Sequence, residues 1–129
     1  MATLLRFDGL YVSAPKKLKD GSAYREYLRF YPDGAVVIAS VTDPSNAEMV
    51  ARWLHPELPG HPRGRYSTEE DILRFTAVIP ESVDYRDGTV EPEIRFEYDG
   101  VILHDRLRLT FYPPNRAATT EEYRFCPVP

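Results

Sequence analysis

The sequence predicts an all-β fold, an antiparallel up-and-down β-barrel of about eight strands with one short α-helix. Three observations carry this. Period-two alternation of apolar and polar residues recurs along almost the whole chain, in runs rich in β-branched and aromatic side chains. The runs are joined mostly by short turn-like pieces, which suit antiparallel neighbours, because parallel strands need a crossover of roughly a dozen residues or more. A flat meander of this many strands would also leave two edges free to pair with other chains, whereas closure into a barrel removes them.

The strand candidates, in order, are residues 6–13 (RFDGLYVS), 23–31 (AYREYLRFY), 35–41 (AVVIASV), 64–67 (GRYS), 71–79 (DILRFTAVI), 93–103 (EIRFEYDGVIL), 106–112 (RLRLTFY) and 120–128 (TEEYRFCPV). Their connections include Lys19-Asp20-Gly21, Pro32-Asp33-Gly34, Thr68-Glu69-Glu70 and His104-Asp105. Pro32 presets the first central position of a type I turn, and Gly34 supplies the left-handed residue that closes a three-residue loop. That turn sets Tyr31 opposite Ala35 and divides the hairpin into two faces. One carries Tyr24, Glu26, Leu28, Phe30, Val36, Ile38 and Ser40; the other carries Arg25, Tyr27, Arg29, Tyr31, Val37, Ala39 and Val41.

Alternating apolar sets on the other strands choose the interior. Tyr11, Leu73 with Phe75, Ile94 with Phe96 and Tyr98, Leu107 with Leu109 and Phe111, and Tyr123 with Phe125 should converge with Leu28 and Phe30. Their alternates include Arg74, Arg95, Glu97, Arg108 and Arg124, which belong outside. An eight-stranded barrel is just wide enough for such side chains to fill, leaving space for at most one small ligand.

Two connections are long, residues 42–63 and 80–92, the second with Asp87-Gly88 as a small hairpin tip. The first contains the helix, TDPSNAEMVARWLHP. Asp43 as N-cap with Pro44 at the first helical position, or Ser45 with Glu48 as a capping box, starts it, and Pro56 stops it. Met49, Val50, Trp53 and Leu54 then share one stripe that covers a side or end of the sheet.

The 129 residues fit one domain, residues 1–129, and hold no apolar run long enough for a membrane span. No signal peptide pattern opens the chain, and Cys126 is its only cysteine, so a cytoplasmic protein without a disulfide is expected. A net charge of −4 disfavours a nucleic-acid partner. All three lysines lie in PKKLKDG, read as a solvated loop.

Catalytic and metal signatures are missing. There is no phosphate-cradling glycine loop, no paired-histidine helix and no nucleophile elbow, and His55, His61 and His104 lack ligand spacing. The acidic clusters at 69–71, 84–87 and 121–122 fall in turns or at a strand start, where solvation explains them. The expectation is a non-enzymatic protein with no cofactor and no metal.

FDGLYVS resembles the first-strand glycine-x-aromatic signature of lipocalins, with Tyr11 in place of the usual tryptophan. With YLRFYPDGAVV and DPSNAEMV it is similar to the C-terminal domain of one group of F-box proteins. GRYS and YDGVILHDRLRL extend the likeness to small uncharacterised bacterial proteins. The lipocalin side implies a calycin-like barrel holding an apolar ligand in its cup; the F-box-associated side implies a barrel used as a recognition module.

Two functions follow. A protein-binding module, monomer or homodimer, would use the long loops or an outer face of Arg25, Tyr27, Arg29 and Tyr31, since interfaces favour Tyr and Arg. A carrier of a small apolar or carboxylate ligand would use an interior of Tyr11, Leu28, Phe30, Phe75, Phe96 and Tyr123, with Trp53 on the helix as a lid. It requires a cavity of about 300 Å³ or more.

Overall fold

A computed structural model describes residues 5–42, 47–54 and 62–128. Its elements are β1 (Gly9–Ser13), β2 (Lys16–Lys17), β3 (Ala23–Phe30), β4 (Ala35–Val41), α1 (Ala47–Trp53), β5 (Arg63–Glu69), β6 (Ile72–Ile79), β7 (Ser82–Val83), β8 (Val90–Glu91), β9 (Ile94–Ile102), β10 (Arg106–Tyr112) and β11 (Thr119–Pro127). The strands run in the order β1-β11-β10-β9-β6-β5-β4-β3, every neighbour antiparallel, and β1 returns to pair with β3 through Tyr11↔Leu28 and Val12↔Tyr27. The sheet is therefore a closed eight-stranded antiparallel barrel. Among the described residues no helix is long and apolar enough to cross a membrane.

The β3–β4 turn closes as its residues dictate. Gly34 takes a φ of 100°, its N–H donates to Tyr31 O at 3.0 Å, and Tyr31 N–H donates to Ala35 O at 2.9 Å. The resulting register pairs Phe30 with Val36 and Leu28 with Ile38, which turns all four inward. At Gly64 the backbone of Thr76 lies where a Cβ would stand, so glycine is the residue that lets β5 and β6 approach there.

Rings fill the interior. Tyr11 meets Phe30 and Phe125 edge-on at 5.7 and 5.1 Å, and Phe30 meets Phe75 and Tyr66 at 5.6 and 5.3 Å. Stacks of Phe75 on Tyr98 (4.6 Å), Tyr98 on Phe111 (4.9 Å) and Phe96 on Phe111 (5.9 Å) carry the packing to the other end. Edge-to-face and offset pairs add about 0.5–1.5 kcal/mol each beyond burial. One end is plugged by the segment before β1: Leu5 is buried, Arg6 N–H donates to Tyr11 Oη at 3.0 Å, and the Arg6 guanidinium lies 4.0 Å over the Phe125 ring.

Four expectations are corrected. The helix does not lid the barrel: Val50, Ala51 and Leu54 of α1 and its C-terminal end pack on the outer wall against Leu10, Tyr27, Val37 and Ala39. That wall presents a second apolar surface, because the outward alternates of β3 and β4 include Tyr27, Val37, Ala39 and Val41 beside Arg25 and Arg29, and a short amphipathic helix buries it. Met49, placed on the same stripe, is exposed. Ile94, expected inside, is 42 % exposed because it starts β9 at the barrel rim. Lys16, expected in a loop, lies in β2, where its ammonium meets Glu26 and Glu121 at 2.8 and 2.6 Å. The caps Asp43, Pro44 and Ser45 and the stop at Pro56 lie outside the described residues, as do the side chains of Glu48 and Trp53.

Candidate functional site

The expected interior residues sit together. Tyr11, Leu28, Phe30, Phe75 and Tyr123 are buried in one cluster, and Phe96 packs half-buried at its edge. They fill one another's space. The Trp53 side chain lies outside the described residues, and the helix that bears it is on the wall.

The expected outer patch is split by α1. Tyr27 is 3 % exposed beneath the helix. Arg29 Nη1 donates to Ala51 O at 2.7 Å and Tyr31 Oη donates to Leu54 O at 2.6 Å. Both satisfy carbonyls that the helix end leaves unpaired, and a guanidinium is favoured at the negative end of the helix dipole. Arg29 and Tyr31 therefore fasten the helix, which removes them from the proposed docking face. Burial raises the Tyr31 pKa, with Arg29 opposing the shift and Asp33 adding to it. Arg25 is the member of the patch left on the accessible wall.

What Arg25 faces is set by the barrel seam. The ladder between β1 and β3 is short: β1 ends at Ser13, whereas β3 continues back to Ala23, where β2 pairs with it through Lys16↔Tyr24. Ser13 Oγ prolongs the ladder by accepting from Glu26 N–H at 2.9 Å and donating to Ala14 O at 2.9 Å. Beyond Ser13, β1 pairs with neither β3 nor β11.

On the inner side a polar strap spans the gap. Lys16 Nζ joins Glu26 of β3 to Glu121 of β11, and Tyr123 Oη donates to Glu26 at 2.9 Å or to Glu121 at 3.0 Å. A phenol has one proton, so it serves one carboxylate at a time. Burial pushes the Tyr123 hydroxyl far above the ordinary phenol range, and the Glu26 charge adds to the shift. For Lys16, burial works against the charged form, but hydrogen bonds to Glu121 and Glu26 prevail and raise its pKa.

On the outer side, where β1 pairing ends, lies a half-open groove of about 660 Å³, lined by Val12, Ser13, Ala14, Arg25, Tyr27, Arg106, Glu122, Arg124, Phe125 and Cys126. The register runs one row straight across this wall: Arg106↔Arg124, Arg124↔Val12, Val12↔Tyr27. Two arginines stand directly opposite each other. Like charges so placed destabilise a sheet, and the one carboxylate among the described lining residues, Glu122, is already met by Arg108 at 3.1 Å and Arg106 at 3.6 Å. Arg106 Nε is buried and lacks a hydrogen-bond partner. On a chain of net charge −4, this groove is cationic with an apolar floor.

Arg106, Glu122, Val12 and Cys126 were not legible as a set in the sequence. A signal existed: the strands 106–112 and 120–128 are joined by one turn, and folding them about it places Arg106 against Arg124. Reading it required the register, which the turn sequence NRAATT does not fix as PDG does. Among the described residues no three His, Cys, Asp or Glu side chains are grouped as a metal site would need. Comparison of the chain with protein-family models, curated proteins and solved structures returns no match.

Proposed function

We propose that the protein is a non-catalytic recognition module that receives an acidic, aromatic-bearing segment of a protein partner in the outer groove between β3, β1 and β11. One observation carries the reading: Arg106 and Arg124 face each other in a groove whose described lining holds one carboxylate. Their repulsion does nothing for the fold, and an anionic partner would relieve it. Arg25 across the seam gives a guanidinium on each wall, and Val12 and Ala14 offer apolar surface between them. Guanidinium forks suit carboxylates bidentately, and aromatic anchors with arginine partners dominate interface energetics. The filled interior favours this use of the wall over carriage of a ligand in the cup. The likeness of FDGLYVS, YLRFYPDGAVV and DPSNAEMV to F-box-associated barrels points in the same direction.

The test is a fluorescence anisotropy titration with a labelled peptide alternating glutamate and tyrosine, set against a lysine–tyrosine control. The acidic peptide should bind, more weakly as salt rises, and the double variant Arg25→Glu, Arg124→Glu should lose about tenfold or more in affinity. Arg116→Glu, in the exposed turn before β11, should leave it unchanged. Equal binding to the double variant, or a lipid-sized mass retained by the purified protein in native mass spectrometry, would remove the groove from consideration.

A further inference from the structure

Residues 81–93 project from the barrel as a small hairpin, β7 and β8, paired through Ser82↔Glu91 and Val83↔Val90. Its tip is built, not loose. Asp84 N–H donates to Thr89 O and Gly88 N–H to Asp84 O, each at 2.8 Å, and Gly88 takes the left-handed φ of 74° that the turn needs. On this frame the apolar groups face water: Tyr85 is 97 % exposed, Val90 51 % and Val83 47 %. A ring held that far from its own core, on an ordered ribbon, has the form of an anchor for another surface.

The charge of the ribbon says which surface. Within 81–93, Glu81, Asp84, Asp87, Glu91 and Glu93 stand against one arginine, Arg86, which meets Asp84 at 3.4 Å, while Glu93 meets Arg95 just beyond the ribbon at 3.1 Å. An acidic, tyrosine-tipped hairpin is the chemical complement of the arginine-walled groove on the same chain. We infer that the groove's occupant is the 81–93 hairpin of a second copy of this chain, Tyr85 entering between Arg25 and Arg124 while the flanking carboxylates meet the guanidinia. This rests on the groove reading above and names its partner. The contact joins two different surfaces, so two copies can make it reciprocally or a series can make it head to tail.

Complementation tests it. Sedimentation velocity over a concentration series should show wild-type association that weakens with salt, reduced about tenfold or more by either Tyr85→Ser or Arg124→Glu. Mixing the two variants should restore a heteromeric complex, since the first retains its groove and the second its hairpin; misfolded variants would not recover. A monomeric wild type, or a mixture that stays monomeric while the wild type associates, overturns the inference. The glutamate–tyrosine peptide separates the two levels: bound by a monomeric wild type, it leaves the groove reading standing and removes self-association; with no binding of either kind, both fall.

Discussion

Replacing Arg124 by glutamine should stabilise the protein while weakening what binds the groove. Arg124 stands opposite Arg106 in the β10–β11 ladder, and Glu122 is engaged by Arg106 and Arg108 instead. A directly opposed pair on a sheet is worth roughly 0.2–1 kcal/mol, with like charges on the unfavourable side. Arg124 is exposed and the Arg106 side chain is 42 % exposed, so water screens the repulsion and places it in the lower part of that range. Glutamine removes the charge and keeps much of the aliphatic stem. The expected gain is about 0.2–0.5 kcal/mol, read by urea denaturation at low ionic strength with an unchanged slope. At 1 M NaCl, where the screening length is about 3 Å, the gain should shrink towards zero. A variant less stable than wild type by about 0.5 kcal/mol or more, or a difference indifferent to salt, would show that Arg124 serves the fold and would refute the reasoning. A substitution that raises stability and lowers binding marks a residue retained for function.

Phe30→Ala should cost about 3–5 kcal/mol in denaturant unfolding, because Phe30 touches Tyr11, Tyr66 and Phe75 and its loss leaves a cavity those rings cannot close. Tyr31→Phe removes the hydroxyl from Leu54 O and should cost about 1 kcal/mol, seen as faster hydrogen exchange in α1 while the barrel amides stay protected. Stability should fall as pH rises above about 10. Burial raises Tyr98 and Tyr123 in the folded state, so the unfolded chain releases those protons first and high pH favours unfolding; the raised Lys16 acts with the same sign. Alkaline titration followed by circular dichroism should show a shallower loss for Tyr98→Phe. Lys16→Met should destabilise by about 1–3 kcal/mol, since it leaves Glu26 and Glu121 facing each other across the open seam, and a neutral urea midpoint would discount the strap.

Local rules were enough for much of the architecture. Period-two alternation and the PDG turn determined the strands, the inward set around Leu28 and Phe30, and the antiparallel closure, because strand geometry sends successive side chains to opposite faces whatever surrounds them. Inward or outward was thus readable from neighbours two residues away. Which outward residues stay in water was not. Tyr27, Arg29 and Tyr31 looked like a docking face, yet α1, more than fifteen positions later in the chain, covers them. Lys16 looked solvated until Glu26 and Glu121 were brought to it by two different strands. The groove belongs to the same class: it exists because β1 stops at Ser13 while β3 and β11 run on, and because one register sets Arg106 beside Arg124. Period and turn chemistry act between adjacent residues and are written in the chain; charge pairing across a seam depends on distances in space, and only the closed barrel decides them.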